Sequence, residues 1–199
     1  MPIAITDNGA NNTVNIAPEL LEFGSGAIVL DGNDNVVTIR SPAYQVGIYF
    51  QLTGGATLEI DEGLSAGNLF VYATRDTALR VGQTVGFNGA VRLMMHEPGH
   101  LSIGDGCLFA GDTDISISDM HSIVDADTGR RINPARSITI ADHVWVGQRC
   151  IVLKGVKIGA GSVIGAGSIV ARDIPPRCVA TGNPARVVRR NATWDFNLL

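Results

Sequence analysis

The sequence predicts an all-β fold, a solenoid of short strands wound into stacked three-sided coils and interrupted once by a long loop. Two repeats carry that expectation. In "ITIADHVWVGQRCIVLKGVKIGAGSVIGAGSIVARDI" the aliphatics Ile140, Val146, Val152, Ile158, Ile164 and Val170 fall six apart, and four residues after each comes a second small or apolar residue: Val144, Cys150, Val156, Ser162, Ser168 and Ile174. Over the whole chain an apolar–x–apolar pair recurs as Val14–Ile16, Val37–Ile39, Leu58–Ile60, Leu79–Val81, Leu101–Ile103, Ile138–Ile140 and Val156–Ile158, at intervals of 23, 21, 21, 22, 37 and 18. One face of a solenoid can thus be followed nearly from end to end, and the 37 marks a coil with a large insertion.

A period of six fits neither the 3.6 of a helix nor the 2 of a plain strand. It fits short strands broken by a corner at every hexad, each pointing an aliphatic inward and placing Gly or Ala, at 141, 147, 159, 165 and 171, in the tight turn. Three such sides close a coil of 18 residues, and successive coils stack at about 4.8 Å. Residues 1–100 read as irregular coils with extra corner residues, "DGNDN" at 31–35 and "TGG" at 53–55, and residues 101–190 as regular ones carrying the insertion. Residues 1–190 are therefore expected to form one β-helix domain, followed by a C-terminal tail, 191–199.

The repeat breaks at a histidine. Counting in sixes from Ile103 gives Phe109, Ile115 and then His121, which makes His121 the last in-register position before a polar stretch, "SIVDADTGRRINPARS". Its Asp, Gly, Asn, Pro and Arg content reads as a protruding loop at about 121–136. Histidine titrates near neutrality, so one at a loop base suits a general base; the plainer reading is a corner histidine bonded to backbone.

Composition narrows the function classes. A chain of 199 residues with 45% hydrophobic content can bury one sizeable core. No apolar run approaches the ~20 residues of a membrane helix, and the opening "MPIAITDNGANN" has no basic region followed by an apolar one. A cytoplasmic protein without a membrane span is the expectation. Cys107, Cys150 and Cys178 show no metal or redox spacing, and an odd number argues for small buried hydrophobes rather than a disulfide framework. Net charge is −4, yet the stretch from Arg149 to Arg190 holds eight Lys/Arg against one acid, Asp173. That asymmetry suits an anionic ligand on the C-terminal third, while so acidic a remainder makes nucleic acid a poor partner.

The stretch "SDMHSIVDADTGRRINPARSITIADHVWVGQRCIVLKGVKIG" resembles the sugar and polysaccharide O-acetyltransferase branch of the hexapeptide-repeat acyltransferase family. The resemblance implies a left-handed parallel β-helix with the cross-section of a triangular prism; periodicity does not give the handedness. It also implies an acetyl-coenzyme A-dependent O-acetyltransferase acting on a carbohydrate, working by direct transfer with His121 as general base, and assembled as a homotrimer whose donor groove lies between neighbouring prisms. Trp145, in "HVWVGQ", matches a family tryptophan beside the reactive end of the pantetheine arm; packing against a neighbouring subunit is its alternative. Backbone near Gly147, Gly165 and Ala166 would bind the pantetheine. The "ATGNPARVVRR" segment matches a family ending near the adenine nucleotide. Ala180, Gly182 and Pro184 would then be adenine-side walls, and Lys154, Arg186, Arg189 or Arg190 would reach phosphates. Arg130 and Arg131 would meet an acidic acceptor sugar, or else only keep the loop soluble. Ser122 stands where the family commonly has proline, so the entry to the loop is less constrained.

Other readings fit the residues less well. His96 and His100, four apart, suggest a zinc pair, but a third ligand in a suitable spacing is missing, and no metal is expected. "IGAGSVIGAGS" at 158–168 has the look of a dinucleotide loop, yet each glycine sits in phase with the hexad. N-acetylation of an amino or nucleotide sugar shares the scaffold and donor, and a prism that has lost its chemistry would be a binding or scaffold protein.

Overall fold

In the computed structural model, which describes residues 2–43 and 46–199, the seven apolar–x–apolar pairs fall on a single parallel ladder. The N-terminal half comprises β1 (Ala4–Asp7), β2 (Thr13–Ile16), α1 (Pro18–Phe23), β3 (Ser25–Leu30), β4 (Val36–Ile39), β5 (Val46–Leu52), β6 (Thr57–Ile60), β7 (Ser65–Ala73), β8 (Thr77–Val81), β9 (Gly86–Met95) and β10 (Gly99–Ile103). The C-terminal half continues with β11 (Leu108–Phe109), β12 (Thr113–Ser116), β13 (Ile138–Ile140), β14 (Trp145–Val146), β15 (Ile151–Val152), β16 (Lys157–Ile158), β17 (Val163–Ile164), β18 (Ile169–Val170), β19 (Cys178–Thr181) and β20 (Arg186–Arg190). One face runs β2-β4-β6-β8-β10-β13-β16, with Ile16, Ile39, Ile60, Val81, Ile103, Ile140 and Ile158 in register. The stacking buries these aliphatics from Ile39 onward, and half-buries Ile16 at the end of the stack, because each strand alternates in and out while the coil closes around them.

The regular coils follow the hexad reading. Ile140, Val146, Val152, Ile158, Ile164 and Val170 are buried, as are the six residues that follow each by four. Three rows of strands make the three sides: β11-β14-β17-β19, then β12-β15-β18, then β13-β16 with Ile174 bridging to Ile158. The glycines of 158–168 occupy corners on either side of β17.

Upstream the geometry differs. There two sides share one long strand, and β9 pairs with β11 through Gly86 and Phe87 and with β12 through Val91 to Met94. The shared strands bend at a column of stacked glycines, where backbones approach too closely for a side chain. A Cβ on Gly47 would meet Gly67 O at 2.5 Å, and one on Gly67 would meet Gly89 N at 2.9 Å. The corner "DGNDN" is held by Asn35, fully buried, whose Oδ1 accepts from the N–H groups of Gly54 and Ala56.

One element departs from an all-strand expectation. The six-residue α1, with Pro18 in its first turn and Leu20 buried, lies at the N-terminal end of the stack. The cysteines are free and buried, and burial pushes the Cys107 thiol up to about 11. Among the described residues no helix is long and apolar enough to cross a membrane.

Candidate active site

The insertion leaves the solenoid between β12 and β13, at the corner joining the second and third sides. Ile117 is the last buried aliphatic before it, and Ile138 is the first after it. Within the insertion Val124 bridges Arg131 in antiparallel fashion, Ile132 N donates to Ile123 O, and Asp125 N donates to Arg130 O, so the polar stretch is a short hairpin. Its tip is an Asx turn. The Asp125 carboxylate accepts from Asp127 N, Thr128 N and Thr128 Oγ1, which lowers its pKa.

His121 stands at the base of this hairpin, exposed. Met120, immediately before it, has φ +63°, a left-handed conformation that turns the chain away from the core. The imidazole makes no hydrogen bond among the described residues, while the His121 backbone is bonded on both sides: its N–H donates to Asp119 O at 2.7 Å, and its carbonyl accepts from Asn133 Nδ2 at 2.8 Å. A base must be reachable by the proton it takes, and this ring is.

Two ion pairs fasten the hairpin to the coils. Arg131 pairs bidentately with Glu97, Nη1 to Oε2 at 2.5 Å and Nη2 to Oε1 at 2.7 Å, and Lys154 pairs with Asp119 while also donating to Asn133 O at 2.8 Å. Arg131, with Ser118 adding a second donor, holds the Glu97 carboxyl at about 2; Lys154 and then Asn133 lower that of Asp119. Both cations were read differently from sequence. Arg131 is spent on Glu97 rather than offered to an acidic sugar, and Lys154, its side chain 12% exposed, is a hairpin tie rather than a phosphate ligand. Arg130, exposed and without a side-chain partner among the described residues, keeps the acceptor role open.

Trp145 projects outward from the start of β14, 38% exposed. Its neighbour is the tail. Trp194 stacks on His143 with ring centroids 4.5 Å apart and planes 8° apart, and lies 6.0 Å from Trp145. The Trp194 indole donates to His143 O at 2.8 Å, and His143 Nε2 lies 3.0 Å from Trp194 O. His143 is thus a docking point for the tail. One whole side of the prism, built on β13, separates this corner from the one that carries His121.

The donor-side residues divide. Trp145, Val163, Val179 and Arg189 lie in register across β14, β17, β19 and β20. This outward row ends beside Arg190, with Arg186 on the same strand, all three arginines exposed. Three inter-strand steps of about 4.8 Å make it roughly 14 Å long. Gly147 and Gly165 do not offer N–H groups to a ligand, because both donate to the next coil, to Ile164 O and Ala180 O. Ala166 is an exposed residue, and its N–H makes no hydrogen bond among the described residues. Ala180 is fully buried beneath Ile164, so its side chain is no adenine wall. Gly182 and Pro184 are exposed in the β19–β20 turn.

Beside the hairpin base a cleft of about 280 Å³ opens on the outer face of β9 and β12, lined by Arg92, His96, Asp114, Ser116, Ser118 and Met120 among others. Arg92 is paired with Asp114. His96 packs on Tyr72, with ring centroids 4.4 Å apart, and burial lowers its pKa. Asp119, Asn133, Glu97 and Trp194 were not singled out from sequence. The "NP" inside a polar loop and a tryptophan in a tail were the available signals.

Comparison with known proteins agrees with the solenoid fold. Residues 137–172 match the family model described as bacterial transferase hexapeptide (six repeats). The chain is 32% identical over 152 residues to a polysialic acid O-acetyltransferase of Neisseria meningitidis, covering 75% of this chain and 69% of that one. It is also 32% identical over 124 residues to a polysialic acid O-acetyltransferase of Escherichia coli O1:K1 / APEC, covering 62% of this chain but only 40% of that one. The crystal structure of the polysialic acid-specific acetyltransferase NeuO superposes with a TM-score of 0.89 at 28% identity, covering 98% of this chain and 90% of that one.

Proposed function

The chain belongs to the hexapeptide-repeat acetyltransferase family, and from that membership we propose that it transfers acetyl from acetyl-coenzyme A to a hydroxyl of an anionic polysaccharide. Polysialic acid is the acceptor on which two of its relatives act by name. The observation that carries the reading is the pairing of two features. An exposed histidine is held at the base of a fastened hairpin, and an outward row leads from Trp145 to a group of exposed arginines.

In this reading the donor lies along that row, phosphates toward Arg186, Arg189 and Arg190 and thioester beside Trp145. His121 takes the proton of the acceptor hydroxyl as its oxygen attacks the thioester carbonyl. The carbon–sulfur bond then breaks, and the proton passes to the departing thiolate, with no covalent enzyme intermediate. The indole N–H of Trp145 can only donate; with the free N–H of Ala166 it is a candidate for the oxygen on which charge develops. The acceptor enters by the cleft on β9 and β12, and Arg130, exposed on the hairpin, is available to an acidic sugar.

His121 and Trp145 stand at different corners of one prism, so a site using both takes them from two chains. That supports a homotrimer with the groove between subunits. A cytoplasmic location goes with the donor.

The test is release of coenzyme A thiol with polysialic acid as acceptor, comparing the chain with His121→Ala. Loss of about 10²–10⁴ in turnover, with coenzyme A binding retained by calorimetry, is expected. Near-normal turnover in His121→Ala removes the base. No coenzyme A binding by the unaltered chain leaves a scaffold protein, and transfer only to amino sugars makes it an N-acetyltransferase.

A further inference from the structure

We infer that Asn133 is a positioning residue for His121, so that the hairpin's returning limb sets the aim of the base. The inference rests on the role proposed for His121.

An asparagine side chain has two N–H donors and an oxygen with two lone pairs, and Asn133, 8% exposed, uses all four. Its Nδ2 donates to His121 O at 2.8 Å and to Asp119 Oδ2 at 2.7 Å. Its Oδ1 accepts from Ile123 N at 2.6 Å and Arg131 Nε at 3.2 Å. One side chain on the returning limb therefore grips the outgoing limb two residues before His121, at His121 itself and two residues after it. No other side chain among the described residues bonds the His121 backbone.

The backbone here needs such a grip. Met120 holds φ +63°, a conformation that strains a non-glycine residue and persists only where the surroundings over-determine it. Ser118 Oγ accepts from Met120 N at 2.9 Å and itself donates to Glu97, the partner of Arg131. Lys154, reaching from the next coil, fixes Asp119 and the Asn133 carbonyl together. Both charged ties thus end on groups that Asn133 also holds, and the ring they leave free is that of His121. An asparagine kept only for solubility would be exposed and unsaturated; this one is neither.

Two variants test the assignment with polysialic acid and acetyl-coenzyme A. Asn133→Ala removes all four bonds, and Asn133→Asp keeps the shape but loses both donors. Each should lower kcat about tenfold to a hundredfold, the scale of a small misplacement of a reacting group, with KM for acetyl-coenzyme A changing less than twofold. A loss shared equally between kcat and KM, or kcat within twofold of the unaltered chain in Asn133→Asp, overturns the inference. So does failure of both variants to fold, which would make Asn133 a folding determinant only. A readout independent of turnover separates this from the fate of the base. The His121 ring resonances, assigned by their disappearance in His121→Ala, should shift and broaden in both Asn133 variants while those of His143 do not. Unchanged His121 resonances sink the inference even if His121 proves catalytic, and a shift with no transferase activity sinks the function while the positioning stands.

Discussion

The two halves of this solenoid close their coils in different ways. In the N-terminal half two sides share one bent strand, ten residues long in β9; beyond β10 the same path is cut into two, β11 of two residues and β12 of four. The bend needs a column of glycines and no turn. The cut strand needs a turn at every corner, and a turn is a place where chain can be added without disturbing a ladder. The insertion carrying His121, the Trp145 row and the arginine strand all lie in the half with cut strands. Where corners are bends, the surface is continuous sheet; where they are turns, the scaffold can carry chemistry.

That contrast can be broken most severely at the glycine column. Gly67→Val puts a branched side chain where even a Cβ lies 2.9 Å from Gly89 N, and should destabilise the chain by about 2–4 kcal/mol by urea unfolding. Gly167→Ala, at a corner with φ +72° and no atom within 4 Å of its Cβ, should cost about 1 kcal/mol. Equal losses at the two sites would erase the distinction. A smaller effect is expected at Arg189. Arg189→Glu should raise KM for acetyl-coenzyme A by roughly threefold to tenfold while sparing kcat. Half a molar salt should shrink the difference, as screening shortens the reach of an exposed charge. A salt-independent rise would make the residue a packing element instead.

The smallest effect concerns the hairpin ties. Glu97 is held at about 2 against an ordinary 4.5. A carboxyl whose folded value is depressed stabilises fully above its unfolded value and loses that contribution as pH falls toward the folded one. Protection of the Ile123 and Ile132 amides from hydrogen exchange, corrected for intrinsic rates, should therefore be flat from pH 8 to 5 and fall below about 4.5. A change between pH 8 and 6 would place control on a histidine.

Much of this was legible in sequence because a solenoid repeats its reasons. Ile140 and Val146 are buried for the same cause as Ile158 and Ile164, so a period of six exposes the whole scaffold, and a missed beat exposes the insertion. His121 and Trp145 stood out by breaking or facing away from that period. What stayed hidden depends on partners distant in sequence. Nothing in "GRR" says that Arg131 is answered by Glu97, 34 residues earlier, or that Lys154 reaches back 35 residues to Asp119. Part of the basic surplus counted on the C-terminal third is thus neutralised by acids outside it. The bent strands escaped for a related reason: the glycines that permit them carry no side chain and leave no hydrophobic period. Trp194 lay in what read as a tail, and only the folded chain brings it to His143.

The row from Trp145 to Arg189 is measured in whole strands. Its length can change only by a complete coil, since any shorter insertion would shift aliphatics out of the core. A solenoid of this kind is therefore a ruler with divisions of about 4.8 Å, and the span between a thioester end and a phosphate end is chosen from those divisions. One more 18-residue coil between β17 and β19 would leave each local contact as it is and yet set the arginines one division too far. Reach would be lost with nothing in the fold to show it.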